Sequence, residues 1–348
     1  MGDERVVKYM SGVVGNRALC EKLCLDVIED KLSHACIIEG PRGTGKHTIA
    51  KNVAAALACS QKHSSPAQFP CLICPDCRKV LDGDCPDVIT VGCGGKATLG
   101  VESVRFLRED VRTVPNDLDF KIYIIEDADK MTVQAQNAFL LTLEEPPSYV
   151  RFFLLCESAS LLLETIRSRA PVIRTQPIPN GELDKYLIAT DRRAEAMKLA
   201  FPAEYEELIT AAKNGIGTAL EYLDPKVFTP VKELRSLVTE LVDAATSGAR
   251  ASVILPLLSR FSTKREILAT QLSALSEAMT DLILLKSSDN TTLRFFSDKV
   301  KAFEMCDRVS MSFLYTLNSA VLTAIDNIQK NANVRLTMIK FASDAMLI

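Results

Sequence analysis

What the chain lacks narrows its function before any motif is read. Over 348 residues the formal net charge is only −3, so there is no global basic footprint, and any contact with DNA must be local or shared with partner chains. No uninterrupted apolar run reaches the roughly 18 residues that span a bilayer, and Met1-Gly2-Asp3-Glu4-Arg5 does not read as a signal peptide. A cytoplasmic protein with no membrane partner is expected. Internal repeats and low-complexity segments are missing too. What is present is ordinary: 24% charged and 47% hydrophobic residues, the balance of a folded globular chain. The length exceeds the about 250–300 residues at which single cores stop growing, so two or three domains are expected. Eleven cysteines in a chain read as cytoplasmic point to metal binding or plain burial, not to disulfides.

The first chemical signal is Gly40-Pro41-Arg42-Gly43-Thr44-Gly45-Lys46-His47-Thr48. The apolar segment His34–Glu39 before it suits a buried strand, and the alanine-rich Ile49–Ala58 after it suits a helix, the context a phosphate-binding loop requires. Glycines let backbone N–H groups converge on phosphate oxygens, the helix N-terminus adds positive dipole, and Lys46 reaches the β- and γ-phosphates. The hydroxyl expected to ligate Mg²⁺ falls on His47, however. Thr48 is one place late, about 100° round the helix, and cannot substitute.

The second is Cys71-Leu72-Ile73-Cys74-Pro75-Asp76-Cys77, three thiols on one knuckle, with Cys59 upstream and Cys85 downstream as candidate fourth ligands. Four soft ligands on tight turns make a structural zinc site with no open position; the alternative is a cluster of buried free thiols. The third is Lys121–Asp127, an apolar strand ending in Glu126 and Asp127. In working ATPases the first such acid positions Mg²⁺ and the second polarises the attacking water. The order here is Glu-Asp where Asp-Glu is usual, and a displacement of about 1 Å can cost roughly 100-fold in rate. Binding of nucleotide survives such a change more readily than hydrolysis.

Between these signals the pattern alternates strands and helices: Pro86–Val91, Arg151–Cys156 and Pro171–Thr175 as strands, Val101–Val114 and Val133–Leu143 as helices, and a glycine-rich loop at Gly92–Gly100. Arg105, Arg108 and Arg112 share a helix face that reads as a solvated surface, or as a contact for ATP or DNA. A parallel α/β sheet follows, with ligands at the strands' carboxyl ends. Beyond Pro177 and Pro179 everything is helical in pattern, in amphipathic stripes such as Leu272, Leu275 and Met279.

Taken in order, Val14-Gly15-Asn16, Ser33-His34-Ala35, the glycine loop, the cysteine knuckle, Tyr123–Met131, Leu143-Glu144-Glu145-Pro146-Pro147 and Ser168-Arg169 resemble bacterial DNA polymerase III clamp-loader subunits of the AAA+ superfamily, the γ/τ and δ′ proteins. The resemblance covers the first 180 residues; the remainder matches only in length and layout. It implies an α/β parallel-sheet AAA+ P-loop domain over 1–178 with a zinc module at about 59–85, an all-α lid over 179–240, and an all-α collar over 241–348. It further implies a structural Zn²⁺ on Cys71, Cys74, Cys77 and an upstream Cys59, in preference to Cys85, although the gap here is longer than usual. ATP or ADP is implied in the loop, with His47 putting its Mg²⁺ in question. The implied partners are γ/τ and δ subunits in a pentameric ring, the β sliding clamp and primer–template DNA.

An ATP-hydrolysing motor of this family needs a hydroxyl at His47, Asp-Glu at Glu126-Asp127, a polar sensor near Glu157 and a lid arginine near Thr218. All four positions are changed. Ser168-Arg169, with Ala170 for the family's cysteine, keeps the arginine that reaches a neighbouring subunit's γ-phosphate, an interaction worth roughly 10³–10⁵ in rate. Apart from the resemblance, Arg169 reads as a surface salt bridge. The pattern resembles δ′: a stator within the polymerase III holoenzyme that donates a finger while its own hydrolysis is weak or absent. The alternatives are a γ/τ-like ATPase and an unrelated AAA+ adaptor that uses zinc to bind partners.

Overall fold

The computed structural model describes residues 8–10, 13–62, 68–288 and 293–346. The start of the chain, read above as no signal peptide, and 63–67 of the polar stretch before the knuckle lie outside the described residues. The chain divides into two compact units, residues 1–186 with 214–217, and 187–213 with 218–348.

The first unit runs β1 (Lys8–Tyr9), α1 (Arg17–Ile28), β2 (Ala35–Glu39), α2 (Lys46–Ala58), β3 (Gln68–Phe69), α3 (Pro75–Asp82), β4 (Val88–Val91), α4 (Val101–Asp110), β5 (Lys121–Ile125), α5 (Val133–Glu144), β6 (Val150–Cys156), α6 (Glu164–Arg167) and β7 (Val172–Arg174). Five strands form one parallel sheet in the order β4-β5-β6-β2-β7, while β1 and β3 make a separate two-residue ladder. The central strands are near-continuous apolar runs because helices cover both faces. Alternation then sends Cys36, Ile38, Ile122, Ile124, Phe153 and Leu155 to the face packed by α1 and α2, and Ile37, Tyr123, Ile125, Phe152 and Leu154 to the face packed by α4 and α5. On the second face Phe152 stacks on Tyr123 at 5.4 Å and meets Phe139 edge-on at 5.2 Å.

The chain leaves β2 toward the far edge of the sheet and returns to place β7 on its other side. Strand order therefore reverses beside the carboxyl end of β2, which is where open α/β sheets bind ligands. Helix α2 begins at Lys46, three residues before the expected Ile49, because Gly45 takes φ +85 and turns straight into it. Helix α4 stops at Asp110, short of the expected Val114. The Thr113 hydroxyl donates to the Asp110 carbonyl at 2.7 Å, and Pro115 disfavours helical backbone at Val114.

The second unit is helical. After α7 (Asn180–Thr190), whose residues fall in both units, come α8 (Arg192–Ala200), α9 (Pro202–Ala211), α10 (Ile216–Tyr222), α11 (Pro225–Thr246), α12 (Ala251–Ser259), α13 (Arg265–Ser287), α14 (Lys299–Asp307), α15 (Met311–Gln329) and α16 (Val334–Met346). Helix α13 is long and apolar enough, by length and composition, to cross a membrane. Here its Leu268, Leu272, Leu275, Met279, Leu282 and Leu285 lie in the unit's hydrophobic core. One buried polar node was not foreseen. Asp281 accepts the backbone N–H groups of Arg294, Phe295 and Phe296, and Arg235 donates to the Phe295 carbonyl with its guanidinium 4.7 Å over the Phe295 ring.

An analogous carboxylate braces the sheet. Asp87 is fully buried before β4 and accepts the N–H groups of Asn116, Asp117 and Leu118 at 2.7, 2.7 and 2.9 Å. Burial pushes its carboxyl up, but the three N–H bonds outweigh that and hold it below the usual aspartate value of 3.8. A depressed folded value means that the stabilisation is complete above the unfolded value and is lost as pH falls through the folded one. Asp87→Asn is expected to lose about 2–3 kcal/mol at neutral pH, measured by urea unfolding. Its deficit relative to wild type should shrink on acidification.

Candidate functional site

Loop 40–48 leaves the carboxyl end of β2. Thr44 is buried, and its hydroxyl donates to the Pro41 carbonyl at 2.8 Å and meets the Thr175 hydroxyl at 3.1 Å. Thr175 also fixes Gly40, where a Cβ would come within 1.9 Å of the Thr175 Oγ1; only glycine fits there. Gly43 and Gly45 have φ of +78 and +85. The turn Asn214–Gly217 belongs to this unit, and the Gly217 N–H donates to the Gly43 carbonyl at 3.3 Å. Pro41, Arg42, His47 and Thr48 are exposed on the loop.

Lys46 curls over this loop, donating from Nζ to the Gly40 and Pro41 carbonyls at 2.6 and 2.8 Å. Burial draws its ammonium below its ordinary value, opposed by Glu157, Cys156, Asp129 and Asp127. His47, standing where a hydroxyl is expected, points its Nε2 at the Glu126 Oε1 3.6 Å away. Two of the positions that depart from a working ATPase thus face each other. Asp127 has left-handed backbone, φ +51, and pairs with Lys130 at 3.1 Å. Thr218 belongs to the second unit.

Two further carboxylates were not singled out from the sequence. The Glu39 Oε1 accepts the Ala159 N–H at 2.9 Å, and its Oε2 accepts from Arg174 at 2.7 Å. The Asp129 Oδ2 accepts the N–H groups of Glu157 and Ser158 at 2.9 and 3.3 Å, fixing the turn that carries Glu157 after β6. A weak signal existed in each case: Glu39 directly precedes the first glycine, and Asp129 follows the acidic pair.

Arg169 is exposed just past α6. Its Nη2 donates to the Glu144 Oε1 at 2.9 Å and its Nη1 to the Thr165 carbonyl at 3.0 Å. Glu144 ends α5 within Leu-Glu-Glu-Pro-Pro, so two motifs distant in sequence meet. Arg105, Arg108 and Arg112 are all exposed.

Elsewhere in the unit Cys59, Cys71, Cys74 and Cys77 bring their sulfurs within 4.8 Å of one another, all four buried. Cys85 is buried outside that group. The local fold explains the convergence: Cys74 caps α3, with Pro75 at its first turn, and the N–H groups of Cys74 and Cys77 point at the sulfurs of Cys71 and Cys74, each at 3.4 Å. Burial pushes the Cys74 thiol up, but the Cys77 amide and Ser60 draw it down to about 6, and burial raises Cys59 and Cys77. Four thiols in a closed, partly thiolate-stabilised group fit a structural tetrahedral ion such as zinc, at sulfur–metal distances of about 2.3 Å. Metal analysis checks this: Cys59→Ser should release the ion and loosen α3, whereas Cys85→Ser should retain about one ion per chain.

The five-stranded parallel sheet with the glycine loop at its switch point is the arrangement of a P-loop domain of AAA+ type. Residues 15–179 match the family model described as DNA polymerase III, delta subunit. The tau subunit of DNA polymerase III from Bacillus subtilis (strain 168) is 32% identical over 219 residues, 62% of this chain and 37% of that protein. The delta' subunit from the same organism is 33% identical over 171 residues, 49% of this chain and 50% of that protein. Among solved structures, a DNA polymerase III gamma subunit-related protein from Thermotoga maritima covers 94% of this chain and 98% of its own, at 17% identity and TM-score 0.45, a likeness too distant to carry an argument. Through its first unit the chain is similar to the DNA polymerase III clamp-loader subunits, AAA+ proteins related to gamma and tau. It spans half or less of the length of the two curated relatives. Subunits named tau and delta' match almost equally well, so the subunit type rests on the site residues.

Proposed function

We propose that this chain is a δ′-type clamp-loader subunit: a stator that completes the ATP site of a neighbouring γ/τ subunit through Arg169, during loading of the β clamp at primer–template junctions. The observation that carries the reading is an asymmetry in the site. His47 and Glu126 replace the oxygen and the acid of a hydrolysing centre and face each other at 3.6 Å, while the arginine that acts outward is kept and exposed.

Arg169 is well placed for that task. Its partner Glu144 is about half exposed, and such an ion pair contributes only about 0–1 kcal/mol. Exchanging Glu144 for a phosphate, where a guanidinium makes bidentate charge-assisted bonds, therefore costs little. Glu144 and the Thr165 carbonyl hold the side chain at the end of α6 until that exchange.

The cysteine group carries a structural zinc ion that fixes α3 and takes no part in turnover. In the helical remainder, 179–240 acts as the lid and 241–348 as the collar that joins a ring of five subunits including γ/τ and δ, and the assembly works in the cytoplasm. The second reading, a γ/τ-like motor, draws on the complete Gly40–Lys46 loop and the match to tau.

Co-expression with γ/τ and δ subunits tests the assignment. The chain should co-elute with both in one assembly; a chain that elutes alone contradicts membership of a loader. Within that assembly, Arg169→Ala should leave folding intact and lower turnover at the one neighbouring ATP site by about 10³, read as a partial loss of DNA-stimulated ATPase. Unchanged turnover removes Arg169 from the mechanism.

A further inference from the structure

P-loop ATP sites hold Mg²⁺ between a hydroxyl oxygen on the residue after the lysine and an acid at the end of a nearby strand. The residues here do not fit that ion. Mg²⁺ demands oxygen ligands in near-ideal octahedral geometry, and position 47 offers an imidazole. The nearby loop hydroxyl of Thr44 is buried and committed to Pro41 and Thr175.

Four of the carboxylates at this end of the sheet already have partners. Glu126 faces His47, Asp127 pairs with Lys130, Glu39 is held by Arg174 and the Ala159 N–H, and Asp129 caps two backbone N–H groups. Lys130 and Arg174 do locally part of what a divalent ion does elsewhere: they offset two of the acids that would otherwise repel a polyphosphate. Lys46 and the loop's N–H groups, the part of the machinery that grips phosphate directly, are intact.

We propose that loop 40–48 binds a nucleoside di- or triphosphate without its divalent cation, as a retained structural ligand. This rests on reading the loop as a nucleotide cradle and not on the subunit type; the Arg169 assay stands or falls separately. It also accounts for a complete phosphate grip beside an altered hydrolytic centre.

Calorimetric titration of the full chain with ADP and with a non-hydrolysable ATP analogue, in EDTA and then in Mg²⁺ or Mn²⁺, tests it. The dissociation constants should agree within about fivefold, the lower end of typical coupling between two ligands. Lys46→Ala should abolish binding in every buffer. The double variant His47→Ser, Glu126→Asp alters only half-exposed side chains, and should now bind at least about tenfold more tightly when Mg²⁺ is present. Two results overturn the proposal: wild-type binding tightened tenfold or more by either cation, or no wild-type binding in any buffer.

Discussion

The carboxylate of Glu39 is the point on which the ligand end of the sheet depends. It stands at the end of the central strand β2, takes an N–H from the turn after β6 and a guanidinium from β7, and its backbone carbonyl accepts the Thr175 N–H. Those contacts pull its carboxyl below the ordinary glutamate value, the Ala159 N–H foremost. One side chain thus ties together the three strands around the switch point. Because Thr175 is held there, its hydroxyl meets Thr44 and leaves no room for a Cβ at Gly40. The phosphate loop inherits its shape from this brace.

The same arrangement separates two tasks that a hydrolysing site combines. Gripping phosphate needs N–H groups and one ammonium, and loop 40–48 keeps both. Splitting phosphate needs a cation and a water aligned to within about 1 Å, and His47 against Glu126 supplies neither. Arg169 lies outside that economy of contacts. On the proposed reading it acts on charge developing elsewhere, which would let a subunit without its own hydrolysis contribute to a neighbour's.

Much of this was legible in the sequence, for identifiable reasons. Strands β2, β5 and β6 are buried on both faces, so each is a plain apolar run. The glycine loop and the cysteine knuckle announce themselves by spacing, since backbone curvature and sulfur geometry both demand short fixed intervals. Helix ends were less legible: the start of α2 depends on the backbone of Gly45, and the end of α4 on one threonine hydroxyl. Contacts across the fold were hidden altogether. Nothing in Thr175 predicts Thr44, nothing in Glu144 predicts Arg169, and His47 and Glu126 read as two separate departures until the sheet brings them together. Spacing alone also left Cys59 and Cys85 as equals, and only the packing of α2 against α3 separates them. The proposed subunit type rests on a handful of side chains, on a scaffold similar to subunits named tau and delta' alike.

On the proposed reading this chain holds a phosphate cradle without a hydrolytic centre of its own. The most direct measurement is ATP turnover by the isolated chain in Mg²⁺, beside Lys46→Ala. Wild type and variant are expected to release phosphate at the same background rate. Turnover that requires Mg²⁺ and disappears with Lys46 would contradict it and make the chain a motor.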